Sequence, residues 1–107
     1  MSFDDLTALK GKSGTEYVFS VVPRQTAFQA RPGVYVLAKS TGPKRYSFCF
    51  VGETANLSVR PLNREKTACF DRFGADLIFL LEEFDANKRQ QIVTDLLQAF
   101  QPVCNAQ

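Results

Sequence analysis

Apolar residues fall into short runs separated by glycine, proline and charged residues, and the spacing inside each run predicts its secondary structure. Phe3, Leu6 and Leu9 recur at helical intervals, so residues 3–10 are predicted to form a short amphipathic helix. Residues 16–22 are rich in tyrosine, valine and phenylalanine, which is typical of a β-strand. We therefore expect the chain to open with a helix followed by a strand.

The clearest unit in the sequence is a hairpin. Two apolar runs, residues 34–38 and 46–51, flank a polar loop over 39–45, and this arrangement predicts two antiparallel strands. A turn is predicted over 71–74, and the apolar run in 75–84 then predicts a third strand beside the hairpin. These segments together predict a small antiparallel sheet.

Two helices are predicted after the hairpin. One starts near Leu57 and carries Arg60, and Pro61 kinks or restarts it. The other spans residues 86–100, where apolar positions recur at helical spacing after a capping residue, Asp85. Because strands and helices are mixed and the helices are long enough to cover a small sheet, the fold class is α+β.

Composition limits the chain to one folded domain. Of its 107 residues, 45% are hydrophobic and 22% are charged, which excludes disorder and a coiled coil. The apolar run at 75–81 is far shorter than the roughly 20 residues that span a bilayer, so no membrane is expected as a partner. Acids at Asp4 and Asp5 stand where a secretory signal carries cations, and a cytoplasmic location is therefore expected.

Two features of composition restrict the chemistry. The chain has no histidine, which removes the commonest general base and excludes Ser-His-Asp and Cys-His catalysis. Its three cysteines, Cys49, Cys69 and Cys104, are widely spaced, so we expect reduced thiols packed in the core. The net charge of +2 is too small to indicate nucleic acid by itself.

Short motifs follow one another in a defined order along residues 33–105. The sequence contains Gly33-Val34-Tyr35, then Phe50-Val51-Gly52 with Thr54, Leu57 and Arg60, and finally Asp95-Leu96-Leu97 with Pro102 and Asn105. In this order and at this spacing the motifs resemble those of the GIY-YIG nuclease superfamily. Each is weak alone, and together they are fairly specific.

The resemblance implies a fold and a reaction. The family fold is an antiparallel sheet of three strands flanked by helices, and residues 1–32 would be an N-terminal helix and strand packed on it within a single domain over 1–107. The family activity is metal-dependent cleavage of a phosphodiester. Tyr35 would lie near the attacking water and Arg60 would meet the scissile phosphate, while a glutamate on the last helix would hold a divalent ion such as Mg²⁺.

Two positions depart from the family pattern. Phe50 replaces the tyrosine of the second motif, and Val93 stands where the family has its metal-binding glutamate. A valine offers no oxygen to a metal ion. Glu53, beside Gly52, is the first substitute carboxylate, and Asp95, about 160° from Val93 around the helix, is the second.

The cations suggest a phosphate-binding face. Arg89 lies one turn before Val93 and within about 40° of its direction, where a cation suits a phosphate and repels a metal. The predicted nucleic-acid contacts surround Arg60 and consist of Lys44, Arg45, Arg60, Arg64, Lys66 and Arg89.

Three functions follow as hypotheses. The favoured one is a nuclease-like domain that has lost metal-dependent cleavage and binds nucleic acid, DNA first, with no cofactor. The second is an active Mg²⁺-dependent endonuclease that uses a substitute carboxylate. The third is a protein-interaction module on a former nuclease fold, and no sequence feature separates it from the first.

Overall fold

The computed structural model describes residues 5–59 and 62–105, and of Asp5 only the backbone. The chain forms five strands and two α-helices in these residues. In chain order they are β1 (Asp5–Lys10), β2 (Glu16–Pro23), β3 (Gly33–Gly42), β4 (Arg45–Thr54), α1 (Thr67–Phe73), β5 (Leu77–Glu82) and α2 (Ala86–Phe100). Short 3₁₀ turns cover Arg64–Lys66 and Val103–Asn105. The α+β class is confirmed.

All five strands belong to one antiparallel sheet in the order β1-β2-β5-β3-β4. The predicted hairpin is confirmed by the pairing of β3 with β4, and the predicted third strand pairs with β3 on its other side. The expected three-stranded sheet is wrong, because β1 and β2 extend the same sheet beyond β5. Residues from the predicted extension over 1–32 are therefore part of the central layer.

The helix predicted over residues 3–10 is wrong where the structure describes it. Residues 5–10 form β1, and every one of them pairs with a residue of β2. Leu9 is buried beside α2 whereas Leu6 is 65% exposed, so the apolar residues do not share a helical face. Pairing with β2 outweighs the weak helical periodicity, because strand formation depends on neighbouring strands more than on local sequence.

One face of the sheet packs against α1. On β3, the side chains of Tyr35 and Leu37 point to this face and pack in a core cluster with Cys69 and Phe70 of α1. Phe28, which lies in the irregular segment between β2 and β3, packs against the same cluster. We call this side of the sheet the α1 face.

The other face packs against α2. The side chains of Val34 and Val36 point to it, because successive residues of a strand face opposite sides of a sheet. They pack with Ile92 and Leu96 of α2 and with Phe79 of β5. We call this side the α2 face, and the sheet lies between the two helices.

A bulge interrupts the alternation on β4. Leu37 pairs with Phe50 and Ala38 pairs with Phe48, so Cys49 is an extra residue on β4. As a result Cys49 and Phe50 both belong to the cluster on the α1 face. A regular strand would have turned one of them to the α2 face.

The connection between β4 and β5 differs from the prediction. Leu57 is fully buried in a turn, so the helix expected to start near Leu57 does not begin there, and Arg60 and Pro61 lie outside the described residues. The helix in this connection is α1, and it includes residues 71–73 of the predicted turn. Gly74 ends α1 with a φ of 85°, a left-handed conformation that glycine adopts without strain.

The last helix agrees with the prediction. It spans Ala86–Phe100, and the side chain of Asp85 accepts hydrogen bonds from the backbone N–H groups of Asn87 and Lys88. These bonds satisfy donors that the first turn of a helix leaves unpaired. The chain leaves α2 at Gln101, one residue before Pro102.

After α2 the chain passes around the β4 edge of the sheet from the α2 face to the α1 face. Asn105 bonds to Val51 at this edge, and Cys104 is fully buried in the cluster on the α1 face. A disulfide joins Cys104 to Cys69 of α1, so the expectation of three reduced thiols is wrong for these two. Cys49 is a free, buried thiol, as expected.

The two described α-helices have seven and fifteen residues. Neither is long and apolar enough to cross a membrane.

Candidate functional site

Tyr35 and Phe50, which stand at the two tyrosine positions of the predicted site, lie together on the α1 face. Their ring centroids are 5.9 Å apart, and Phe50 also packs against Phe70 of α1 at 5.3 Å. Tyr35 is only 3% exposed. The phenol is therefore part of the core rather than open to a substrate in this conformation.

The surroundings of Tyr35 keep its hydroxyl protonated. Burial raises the pKa of Tyr35, and the negative charge of Glu53 raises it further, while a hydrogen bond with the side chain of Asn63 lowers it. The net pKa is above the ordinary value of a tyrosine. A neutral phenol can donate a hydrogen bond, but it is a poor base for activating water at neutral pH.

Two motif glycines are required by packing. A Cβ atom on Gly52 would lie 2.8 Å from the hydroxyl oxygen of Tyr35 and 2.7 Å from the ring of Phe50. A Cβ atom on Gly33 would overlap the backbone oxygen of Leu81. All three contacts are shorter than van der Waals contact, so glycine at these positions is explained by the fold without any catalytic role.

Val93, at the position of the family's metal-binding glutamate, lies on the α2 face. It is half-buried and packs against the cluster that contains Val34 and Val36, on the side of the sheet opposite Tyr35. The family resemblance implied that this position shares one site with Tyr35. The structure separates the two residues by the thickness of the sheet.

Glu53, the first substitute carboxylate, is held by Arg89. The Nε of Arg89 donates to Glu53 Oε1 at 2.7 Å, and the same guanidinium donates to the backbone oxygens of Glu83 and Phe84 at 3.1 Å. Arg89 is 8% exposed. It therefore joins α2 to the ends of β4 and β5 and does not lie on the surface, where a phosphate contact would need it.

Asp95, the second substitute carboxylate, is hydrogen-bonded to the hairpin of β1 and β2. Its Oδ2 accepts hydrogen bonds from the hydroxyls of Ser13 and Tyr17, each at 2.7 Å, and its Oδ1 accepts from the backbone N–H of Ser13. These hydrogen bonds lower the pKa of Asp95. The carboxylate fastens α2 to the β1–β2 turn.

No metal site is assembled from the residues that the structure describes. Among residues 5–59 and 62–105, no group of three histidine, cysteine, aspartate or glutamate side chains could hold an ion. Glu53 and Asp95 each have other hydrogen-bond partners. Hydrolysis assisted by a resident metal has no ligand set in this part of the chain.

The remaining motif residues shape local structure. Thr54 Oγ1 accepts from the backbone N–H of Asn56, and Asn56 Oδ1 in turn accepts from the backbone N–H of Ser58, which closes a turn after β4. Asn105 bonds to the backbone of Val51 through both atoms of its amide. Neither Thr54 nor Asn105 faces Tyr35 with a free polar atom.

Exposed cations gather at the hairpin end of the sheet. Lys44 and Arg45 are exposed at the tip that joins β3 to β4. Lys39 lies at the same end, since its Nζ would be 3.7 Å from a Cβ on Gly74, and Arg72 is exposed two residues before that glycine. Neither Lys39 nor Arg72 was among the predicted nucleic-acid contacts.

Arg64 and Lys66 lie in the connection between β4 and β5, before α1 and away from the hairpin tip. They lie in the 3₁₀ turn that leads into α1, next to Asn63, whose side chain hydrogen-bonds Tyr35. Tyr35 precedes the end of β3 by seven residues, which corresponds to about 23 Å along the strand. The two groups of cations therefore lie toward opposite ends of α1, and Arg60 is outside the described residues.

A cavity of about 370 Å³ opens beside α1. Leu37 and Ile78 of the sheet and Phe70 of α1 line it, and Arg24 pairs with Asp71 at its wall, with the two atoms 2.9 Å apart. The cavity includes none of the residues of the predicted nuclease site. It is therefore a separate feature of the α1 face.

The geometry defines an α+β domain in which one five-stranded sheet separates two helices, and in which the side chains of Tyr35, Phe50 and Val93 pack in the two core clusters. No protein family, curated protein sequence or solved structure gives a significant match to this chain.

Proposed function

We propose that this domain binds nucleic acid through exposed cations along α1 and the hairpin tip, and that it does not hydrolyse it. The observation that carries the proposal is that basic side chains occur at both ends of α1 and at the hairpin tip. We call these residues the basic strip, and its described members are the exposed Arg64, Arg72, Lys39, Lys44 and Arg45 and the half-buried Lys66.

The charges of the basic strip support contact with a polyanion. Within the described residues, ion pairs engage Arg24, Arg31 and Arg89, whereas no described acid pairs with Lys44, Arg45 or Arg64. Carboxylates follow one another at the opposite end of the sheet, where β5 leads through Glu82 and Glu83 to Asp85. This separation would orient a negatively charged partner toward the strip.

The length of the basic strip also supports the proposal. Its ends are on the order of 20 Å apart along the direction of β3, since strand residues advance about 3.3 Å each. Phosphates along one DNA strand repeat at about 3.4 Å, so the strip could follow several of them. Contacts of this type give affinity without reading sequence.

The burial of Tyr35 and the location of Val93 support the absence of hydrolysis. A reaction of the family type needs a phenol, an arginine and a metal-bound carboxylate around one phosphate. Here the phenol lies on the α1 face, position 93 lies on the α2 face, and Glu53 is paired with Arg89. Loss of metal assistance alone removes several kcal/mol of transition-state stabilisation.

Fluorescence anisotropy with labelled single-stranded and duplex DNA tests the proposal. We expect binding at low salt that weakens steeply as salt rises. A plot of the logarithm of the binding constant against the logarithm of the salt concentration should have a slope of about −0.9 per phosphate contact for duplex DNA. The double variant Lys44→Gln with Arg45→Gln should weaken binding by about tenfold, since each lost phosphate contact is worth roughly 1 kcal/mol or less.

The matched control removes the same charge elsewhere. Lys12→Gln with Lys88→Gln changes two exposed lysines outside the basic strip and gives the same net charge. It should bind almost as well as the parent. Equal weakening by both double variants, or no binding by the parent at low salt, would contradict the proposal.

Protein binding is a second candidate, and one feature favours it. Leu6 of β1 is 65% exposed and Val18 of β2 is 54% exposed. Val18 pairs with Ala8, which lies two residues from Leu6 along β1, so Leu6 and Val18 point to the same face of the sheet. Exposed apolar side chains that adjoin each other mark interaction surfaces. Absence of DNA binding, together with loss of self-association or partner binding in Leu6→Ser, would favour this candidate.

A further inference from the structure

Three cysteine sulfurs meet in the core of the α1 face. The disulfide joins Cys69 of α1 to Cys104 of the C-terminal turn, and the free Sγ of Cys49 lies 3.3 Å from Sγ of Cys104. Cys49 and Cys104 are fully buried and Cys69 is 8% exposed. The bulge in β4 is what directs Cys49 toward the other two.

We propose that this cluster is an internal thiol–disulfide exchange site in which Cys104 changes partner between Cys69 and Cys49. The contact distance supports it, because Cys104 is bonded to one cysteine and in contact with the other. Exchange within one folded chain also avoids the entropy cost of bringing two molecules together. The inference is independent of nucleic-acid binding.

The exchange is balanced in atoms and electrons. Cys49 gives its proton to solvent, and its thiolate attacks Sγ of Cys104, which forms the Cys49–Cys104 bond. The bond between Cys104 and Cys69 breaks, and Sγ of Cys69 leaves with the electron pair and then takes up a proton. No oxidant or reductant is consumed, since one thiol and one disulfide are present before and after.

The two linkages hold different parts of the fold together. The Cys69–Cys104 bond ties α1 to the segment after α2, whereas a Cys49–Cys104 bond would tie that segment to β4. After exchange, α1 has no covalent link to the C-terminal segment. Its free thiol is that of Cys69, which at 8% is the most exposed of the three cysteines. The exchange would thus release a seven-residue helix from its cross-link.

Burial makes the exchange slow at neutral pH. It raises the pKa of the Cys49 thiol to about 11, although the nearby charge of Arg24 acts in the opposite direction. The thiolate is the attacking species, so a small thiolate fraction limits the rate. The experiment is therefore run at pH 9 on the folded chain, with acid quenching before any denaturation.

Peptide mapping distinguishes the two linkages. Trypsin cleaves after lysine and arginine, so Cys49, Cys69 and Cys104 fall on three separate peptides. We expect the parent, after incubation at pH 9 and trapping with N-ethylmaleimide, to give the Cys69–Cys104 pair together with a Cys49–Cys104 pair. A Cys49→Ala variant, treated alike, should give the first pair alone.

Two variants that each lack one of the three cysteines provide the decisive comparison. In Cys69→Ala, oxidised glutathione should join Cys49 to Cys104, so the two free thiols of the reduced chain are lost. In Cys104→Ala, the same buffer should leave Cys49 and Cys69 unlinked to each other, since Cys104 is the sulfur that contacts both of them. Both variants keep two cysteines, so each is the control for the other.

Several results would overturn the proposal. One is a Cys69→Ala chain that keeps two free thiols under conditions that oxidise the parent. Another is a parent chain in which N-ethylmaleimide labels only Cys49 at every time of incubation. A disulfide in Cys104→Ala would also contradict it, because Cys104 would then not be the shared partner.

Discussion

Asn105 completes the hydrogen bonding of Val51 at the edge of the sheet. Its Oδ1 accepts from the backbone N–H of Val51 at 2.8 Å, and its Nδ2 donates to the backbone oxygen of Val51 at 2.9 Å. The side-chain amide thus acts as one residue of a neighbouring strand would. Because β4 is an edge strand and Val51 is 1% exposed, these backbone groups have little access to water.

Asn105→Ala should lower the free energy of unfolding by about 1–3 kcal/mol, because it leaves a buried N–H and a buried C=O without partners. Urea denaturation followed by circular dichroism measures the change. Asn87→Ala is the matched control, since the side chain of Asn87 is exposed, and it should stay within about 0.5 kcal/mol of the parent. Equal stability of the two variants would contradict the role assigned to the Asn105 amide.

Glu53→Ala should destabilise the fold by about 1–3 kcal/mol, because it leaves the Arg89 guanidinium buried without its carboxylate. Partial exposure of Glu53 keeps the expected loss below that of a fully buried ion pair. Glu82→Ala is the control, since its ion pair with Arg31 is largely exposed and should contribute less than about 1 kcal/mol. Similar losses in both variants would show that burial of Arg89 does not matter.

Asp95 should make stability depend on pH in the acid range. Its pKa is lower in the folded chain than in the unfolded chain, so its contribution is fully present above the unfolded pKa of about 3.9. The contribution is lost as the pH falls through the folded pKa. Unfolding midpoints of the parent and Asp95→Asn should therefore differ at pH 7, and the difference should shrink as the pH falls below the unfolded pKa of about 3.9; a constant difference would contradict this.

The double variant Phe50→Tyr with Val93→Glu should not gain Mg²⁺-dependent cleavage of DNA. The added hydroxyl lies on the α1 face, whereas the added carboxylate lies on the α2 face, so they cannot act on one phosphate. Nicking of supercoiled plasmid measures activity, with the single variants as controls. Cleavage that appears in the double variant alone would mean that the two positions do form one site.

Local sequence signals predicted the elements whose ends are marked by capping residues, prolines or polar loops. The last helix has a capping aspartate at Asp85 and a proline after its end, and both ends were predicted correctly. The hairpin of β3 and β4 was predicted from two apolar runs around a polar loop. Residues 5–10 were predicted as a helix because their pairing with β2 is a tertiary property that spacing does not contain.

The candidate site was less predictable than the fold. The family resemblance implied that positions 35 and 50 belong to one site, and the ring centroids of Tyr35 and Phe50 are 5.9 Å apart. It did not predict that Val93 lies across the sheet, because the face that a helix covers depends on the path of the chain. The pairing of Cys69 with Cys104 likewise requires the C-terminal segment to pass the β4 edge, and no local pattern indicates this path.

The extra residue in β4 also affects how this chain should be aligned with others. On the two sides of Cys49, odd and even positions exchange their orientation, so Phe48 and Val51 share a side although their numbers differ in parity. A homologue one residue shorter at this point would keep all its other side chains in place. It would lack only the third sulfur, and a gap at position 49 in an alignment would therefore identify relatives that cannot exchange disulfide partners.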